Sequence, residues 1–404
     1  MRRGAGAQLR LHFGRRRSAL PALGLRPRRP RYGGHAGRRL LRLRQRNLRQ
    51  EPADPADRSR YGNFDALQAL SEDRLHTLLD KAAADSDPTG EAAKVGAFYR
   101  AFMDEKRADA LGAKAARARA GPRSGPPDSR AAIATIMGKG SRSFFSSVMD
   151  VDIGVDAKDP QHYAVYVGQS GLGLPDRDYY LEPSFAAQKT AYQAYVAQML
   201  RLADWPDADA QAAAIVDLET RIAKVSWTRA QERDPTKTYN PMTPEELAQA
   251  SPGFDWAAFL QGADLGSAKR VVVAENTALP EIANIFATTP VKTLQAWEAF
   301  NVADSAAPYL SHDFVDARFQ FRNKILSGQQ QLRPRWKRGV TTVGSNMGEA
   351  GRRALRRRLL PRRLQGQDGD PGRQHPRRVA GPHPTRRLDE RRHQGPRAAE
   401  AVEC

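Results

Sequence analysis

The 404 residues include 65 Lys plus Arg against 45 Asp plus Glu, a net charge of +20, and one cysteine. That length allows about two to three domains with a sizeable core. The lone Cys404 excludes a disulfide framework, a CxxC redox pair and a multi-thiolate metal site, and no apolar run approaches the roughly 18–20 residues that span a bilayer.

The basic charge is confined to the two ends. Residues 1–58 carry a net +14 and residues 351–404 a net +9, whereas 59–350 is slightly acidic at −3. Every basic residue in both ends is Arg, and all 13 lysines lie between Lys81 and Lys337. Three readings compete for the ends: basic nucleic-acid arms, an Arg-rich targeting peptide at the N-terminus, or translation in the wrong frame of a GC-rich gene. The absence of Lys favours the last, because a misread GC-rich frame yields Arg, Pro, Gly and Ala. Shifting Gly351–Arg362 by one base, with permitted codons, allows VGALYVADYFPA. The same operation on Ala36–Asn47 allows PGDDFFAYANGT. We therefore expect 1–55 and 351–404 to be disordered, misread segments flanking an ordered 56–350. The coding DNA decides this.

Between the ends the pattern is mainly helical. A first helix is expected over Phe64–Ala84, with Leu67, Leu70, Leu75, Leu78 and Leu79 near helical spacing. A second is expected over Glu91–Leu111. Residues 115–130 break the pattern. Ser143–Val155 and His162–Val167 read as strands, joined by the turn Asp156–Gln161 into a hairpin. Ala186–Ala203 and Ala208–Val225 form a helix pair around Asp204–Trp205–Pro206. In the second, Ile215, Leu218, Ile222 and Val225 make one stripe. Thr243, Pro244 and Glu246 spell a capping box with Pro at the first helical position. Arg270–Val273 suggests a short third strand. Thr289–Pro290 opens a helix carrying Leu294, Trp297 and Phe300. A last pair is expected over Asp313–Leu326 and Gln331–Val343.

Metal chemistry finds no helical zinc pattern. None of the eight histidines stands in HExxH or pairs with another at i+4. His76 reads as a structural or solvated residue beside a helix stripe, and His312 as part of a helix-start turn. G-x-S-x-G, P-loop and GxGxxG motifs are absent. Three polar motifs remain. Arg60–Tyr61–Gly62–Asn63–Phe64–Asp65 places an Arg beside a flexible Gly at a helix entrance, where it could bind a carboxylate in bidentate fashion. Its plain alternative is an Asn63 or Ser59 cap and a surface Arg. Gly168–Leu181 (GQSGLGLPDRDYYL) defines an ordered turn, with Asp176, Arg177 and Asp178 able to lock it by ion pairing. In Ser226–Tyr239 (SWTRAQERDPTKTY), Arg229, Glu232, Arg233 and Asp234 could form a buried polar network or a solvated face.

Taken in order, these motifs resemble the N-terminal domain of the neprilysin/PepO-type zinc metalloendopeptidases. The resemblance runs from about Ala56 to Ala350 and includes FYRAFMDE (98–105), PGFDW (252–256) and RWKRGV (335–340). The resemblance implies a mostly α-helical lobe with a small hairpin, facing a catalytic lobe across a central cavity. It also implies that the Arg of the first motif, here Arg60, binds the substrate's C-terminal carboxylate, with Phe64 and Asp65 near the primed-side pocket. In the family, HExxH and a downstream ExxxD hold zinc in the other lobe. The expectation is thus a fragment with peptide substrates and zinc in the intact family, no metal or catalytic residue in this chain, no nucleic-acid partner and no membrane segment. Two alternatives stay open: a non-catalytic peptide-binding module and a basic nucleic-acid binder.

Overall fold

The computed structural model describes residues 55–59, 62–85, 90–114, 127–140 and 146–359. Arg60, Phe144, Phe145, most of the break at 115–130, and both Arg-rich ends except 351–359 lie outside the described residues, as do His12, His35, His375, His383 and His393. The described part is mostly helical with one small sheet.

Helix α1 (Asn63–Ala84) is followed by α2 (Gly90–Met103) and α3 (Glu105–Leu111). The single helix expected over Glu91–Leu111 is broken at Asp104, whose carboxylate accepts from the Arg107 N–H at 3.1 Å and caps α3. Helix α4 is Arg130–Gly138. The expected hairpin forms with shifted bounds: β1 (Met149–Val155) begins later than Ser143, β2 (Tyr163–Gln169) runs past Val167, and the two are antiparallel with Val151 opposite Val167. It is only part of a sheet in the order β1-β2-β4-β3. Strand β4 (Val271–Val273) runs parallel to β2, and β3 (Asn240–Met242) runs antiparallel to β4. Strand β3 was not legible, because Pro241 and its polar neighbours give no alternating pattern.

The short helix α5 (Asp178–Leu181) leads to α6 (Ala186–Leu202) and α7 (Ala208–Val225), the expected pair. Their break uses left-handed backbone at Asp204 and Asp207, with φ of 53° and 54°. Aspartate tolerates that region better than most L-residues. A one-turn helix α8 (Arg229–Glu232) precedes β3, and α9 (Pro244–Ala250) starts at the expected capping box: Glu246 N–H to Thr243 Oγ1 at 3.1 Å, and Thr243 N–H to Glu246 at 2.8 Å. Helix α10 (Trp256–Gly262) crosses α4 at very close range. A Cβ on Gly138 would lie 2.0 Å from the Phe259 carbonyl oxygen, and one on Gly262 would lie 2.2 Å from that of Thr135. Only glycine permits this contact at either position.

Helices α11 (Ala278–Thr288) and α12 (Val291–Ala306) complete the core, with Leu294, Trp297 and Phe300 buried as their spacing requires. The last expected pair differs in form. Helix α13 (His312–Arg318) passes into a π-helical segment, Phe319–Ile325, which buries both Phe319 and Phe321. Helix α14 (Arg335–Leu359) starts only after Pro334, since the residue before a proline avoids helical backbone, and it kinks at Met347.

Two apolar cores result. The larger one gathers the sheet with α4 to α13, centred on Tyr192, Trp256, Phe259, Phe286, Trp297 and Phe300. The smaller one joins α1, α2 and α14 through Leu79, Val95, Tyr99, Val340 and Val343. His76 belongs to the second: its ring stacks on Trp336 at 4.2 Å and it sits 3.3 Å from Asp80. The first half of α1 does not follow the expected inward stripe. Phe64, Leu67 and Leu70 are exposed.

Candidate functional site

The first motif opens α1. Its helix is capped by Gly62, not by Asn63 or Ser59. Asp65 reaches back to accept the Gly62 N–H at 2.9 Å, the carboxylate half of a capping box. Asp65 also lies 3.4 Å from Arg58. Phe64, by contrast, is 88% exposed.

The segment before this helix is bound to the start of α14. Both Gln330 and Gln331 donate backbone N–H bonds to the Ala56 carbonyl, at 3.2 and 2.9 Å. Lys337 pairs with Asp57 at 2.9 Å, and that hydrogen bond holds the Asp57 carboxyl below its ordinary range. Buried Glu72 accepts Arg58 at 3.3 Å and Arg333 at 2.8 and 2.9 Å. Residues 261 to 280 positions apart in sequence thereby fix the entrance to α1.

The second and third motifs meet in a cleft of about 520 Å³. Its wall is the turn Gly171–Arg177, and its opposite side is Ser226 to Arg233. Ion pairing inside the turn is not what locks it. Asp176 pairs with Arg229 of the third motif, and Arg229 also donates to the Pro175 carbonyl at 3.0 Å. Arg177 donates to the Ala223 carbonyl at 3.0 Å, and Asp178 gives its N–H to Asp176 at 3.0 Å while starting α5. Consecutive charges in an irregular turn point to different neighbours, so the lock runs between motifs. In the third motif the exposed alternative holds: Arg229, Glu232 and Arg233 lie at the rim in solvent.

Gln169 closes the floor of the cleft. Its side chain accepts the Trp227 N–H at 2.7 Å and donates to the Trp227 carbonyl at 3.2 Å and to Glu232 at 2.6 Å. Its own N–H donates to Glu275 at 2.8 Å, and burial raises the Glu275 carboxyl above its ordinary range. Trp227 Nε1 donates to Thr277 at 2.7 Å. Sequence reasoning did not single out Gln169, Trp227 or Glu275. Their partners lie 58 and 106 positions away, and an amide or a buried acid leaves no spacing pattern.

Behind the turn lies a fully buried carboxyl. Glu219 on α7 accepts Tyr180 OH at 2.6 Å, Tyr192 OH at 3.1 Å and Trp297 Nε1 at 2.9 Å. Burial pushes it up to about 7, against those three hydrogen bonds. Tyr180 OH also accepts the Leu174 N–H at 2.8 Å, and Arg322 donates to the Gly173 carbonyl. The turn is thus anchored to three helices and the π segment.

Zinc does not fit the described residues. No group of three His, Cys, Asp or Glu among them could hold a metal ion. Their histidines have other roles: His76 is stacked, His162 bonds Asp159 at 2.7 Å, and His312 starts α13 with its N–H on Asp109 at 2.7 Å. No helix among the described residues is long and apolar enough to cross a membrane.

The N-terminal model of Peptidase family M13 matches residues 47–362. The chain belongs to peptidase family M13. Endothelin-converting enzyme 1 of Homo sapiens is 28% identical over 309 residues, covering 73% of this chain and 40% of its own length. The M13 fold is shared with the zinc metalloprotease Zmp1 of Mycobacterium tuberculosis, solved with an inhibitor. The two align with a TM-score of 0.71 and 29% identity, over 77% of this chain and 48% of Zmp1. PepO from Lactobacillus rhamnosis, at 17% identity and a TM-score of 0.66, has the same fold. The M13 chain described here therefore spans about half or less of the length of these relatives.

Proposed function

We infer that this chain forms the substrate-restricting, non-catalytic lobe of a zinc metalloendopeptidase and does not hydrolyse peptides by itself. The carrying observation is the match to the N-terminal model of family M13 in a sequence whose eight histidines include no HExxH. A catalytic zinc needs three protein ligands and an open position for water or substrate. Among the described residues, the His76 ring is stacked on Trp336 and the His162 ring bonds Asp159. The similarity to a zinc metalloprotease supports zinc, peptide substrates and a second lobe in the intact enzyme.

In this reading the first motif meets the C-terminal end of a peptide. The Arg60 guanidinium pairs with the terminal carboxylate in the two-pronged geometry that suits arginine. Phe64, with 88% of its surface exposed, offers an apolar contact. Asp65 holds the helix entrance through Gly62 and Arg58.

One purified sample tests both parts. With zinc supplied, the chain is expected to bind no stoichiometric metal and to leave a fluorogenic peptide uncut. Stoichiometric zinc with turnover would refute the non-catalytic assignment. Calorimetry with short peptides is expected to show weaker binding for Arg60→Ala than for the parent, by about tenfold for a lost charge-assisted contact. Equal affinity removes Arg60 from the site.

A further inference from the structure

A second cavity, of about 150 Å³, lies between α13, the π segment and the start of α14. Val315, Phe319 and Leu332 line it together with Arg318, Arg333 and Arg338, and with the amides of Asn323 and Gln329. Two of the arginines are engaged. Arg333 holds Glu72 at 2.8 Å, and Arg318 lies 3.5 Å from Asp304. Each of those carboxylates already serves another guanidinium: Arg58 on Glu72 at 3.3 Å and Arg322 on Asp304 at 2.7 Å. The wall is therefore short of negative charge.

Arg338 is where the shortfall is concentrated. Among the described residues it has no carboxylate partner. Its Nε donates to the Arg333 carbonyl at 3.1 Å, but its buried Nη1 has no acceptor. Burial, then neighbouring Arg335, works against its charge, and the Glu105 carboxylate, which is paired with Arg335, offsets only part of this. A buried charged donor without an acceptor is costlier than a neutral one.

The cavity's shape selects the missing group. A guanidinium fork matches a planar carboxylate. Inorganic phosphate has no apolar part and would gain nothing from the Val315, Phe319 and Leu332 surface. An aliphatic stem would instead gain burial there. We propose that this cavity binds a small aliphatic carboxylate, with its anionic head on Arg338 and its stem against Val315, Phe319 and Leu332. The site is independent of the peptide-end reading of Arg60.

The test uses the full chain and sodium isovalerate as the probe, with sodium chloride and phosphate at matched ionic strength. Thermal unfolding and ligand-observed NMR are expected to show saturable isovalerate binding and a raised Tm. Arg338→Gln is expected to weaken binding by about tenfold or more, the cost of one charge-assisted contact. Leu332→Trp, in the half-buried loop before α14, is expected to fill the cavity and abolish binding while leaving Arg338 in place. This second variant keeps the test decisive should Arg338→Gln fail to fold. Isovalerate acting no differently from chloride, or equal binding by the parent and Leu332→Trp, overturns the proposal. Phosphate binding as tightly as isovalerate overturns the carboxylate assignment.

Discussion

Replacing Glu219 by alanine is expected to lower the unfolding free energy by about 4 kcal/mol, read as a fall in the urea midpoint at unchanged slope. The carboxyl is buried and accepts Tyr180, Tyr192 and Trp297. Its removal leaves these donors without an acceptor in a site from which solvent is excluded. Each orphaned buried donor costs roughly 1–3 kcal/mol, and water entering the new cavity offsets part of the sum. The damage should reach the cleft, because Tyr180 also fixes the Leu174 N–H in the turn. Hydrogen exchange should accordingly rise first in Gly171–Leu181. A change below about 1 kcal/mol would show that the three donors find other partners.

The same carboxyl is expected to make stability fall as pH rises from about 4.5 to about 7. Its ordinary value is 4.5, and burial pushes it up to about 7 in the folded chain. Below about 4.5 it is protonated whether the chain is folded or not. Between the two values the folded chain holds a proton that the unfolded chain has released, so raising the pH favours unfolding. Above about 7 the contribution is fully lost. The shift corresponds to about 3 kcal/mol. Glu298, buried with one N–H bond from Ser146 at 3.4 Å, is raised for the same reason and acts in the same direction. Asp156 acts oppositely at lower pH. The Lys158 N–H, then Tyr239 and Arg270, hold it down to about 2, so its contribution is present above its ordinary value and lost as pH falls towards 2. The difference between the parent and Glu219→Gln isolates the Glu219 component, because the amide cannot ionise. Parallel pH profiles for the two proteins would contradict the assignment.

Regular periodicity was readable wherever an element buries one face along its whole length. Of the stripe Ile215, Leu218, Ile222 and Val225 in α7, the first three are wholly buried and Val225, at the helix end, is half-buried, and the capping box at Thr243 begins α9 as its residues require. These patterns are local consequences of 3.6 residues per turn and of unsatisfied N–H groups at a helix start. Local rules misled where the environment changes within an element. Leu67 and Leu70 belong to the expected inward stripe of α1 but face solvent, because its packing against α2 and α14 begins only near Leu75 and Leu79. The expected helix Asp313–Leu326 became α13 plus a π segment, which turns Phe319 and Phe321 inward together.

The candidate sites divide along the same line. The three polar motifs and their order were visible in the residues, and they carried the resemblance that the family match confirms. Their geometry was not visible. Asp176 pairs with Arg229, 53 positions away, and not within its own turn. Gln169, Trp227 and Glu275 became parts of one cleft only when β2 and the third motif came together. By itself the sequence determined the family, the helical class and the identity of the motifs, because these depend on residue type and short-range spacing. The tertiary structure alone decided which charges are compensated and which cavities are left, because Coulomb attraction and burial depend on distance in space, and chain separation does not report it.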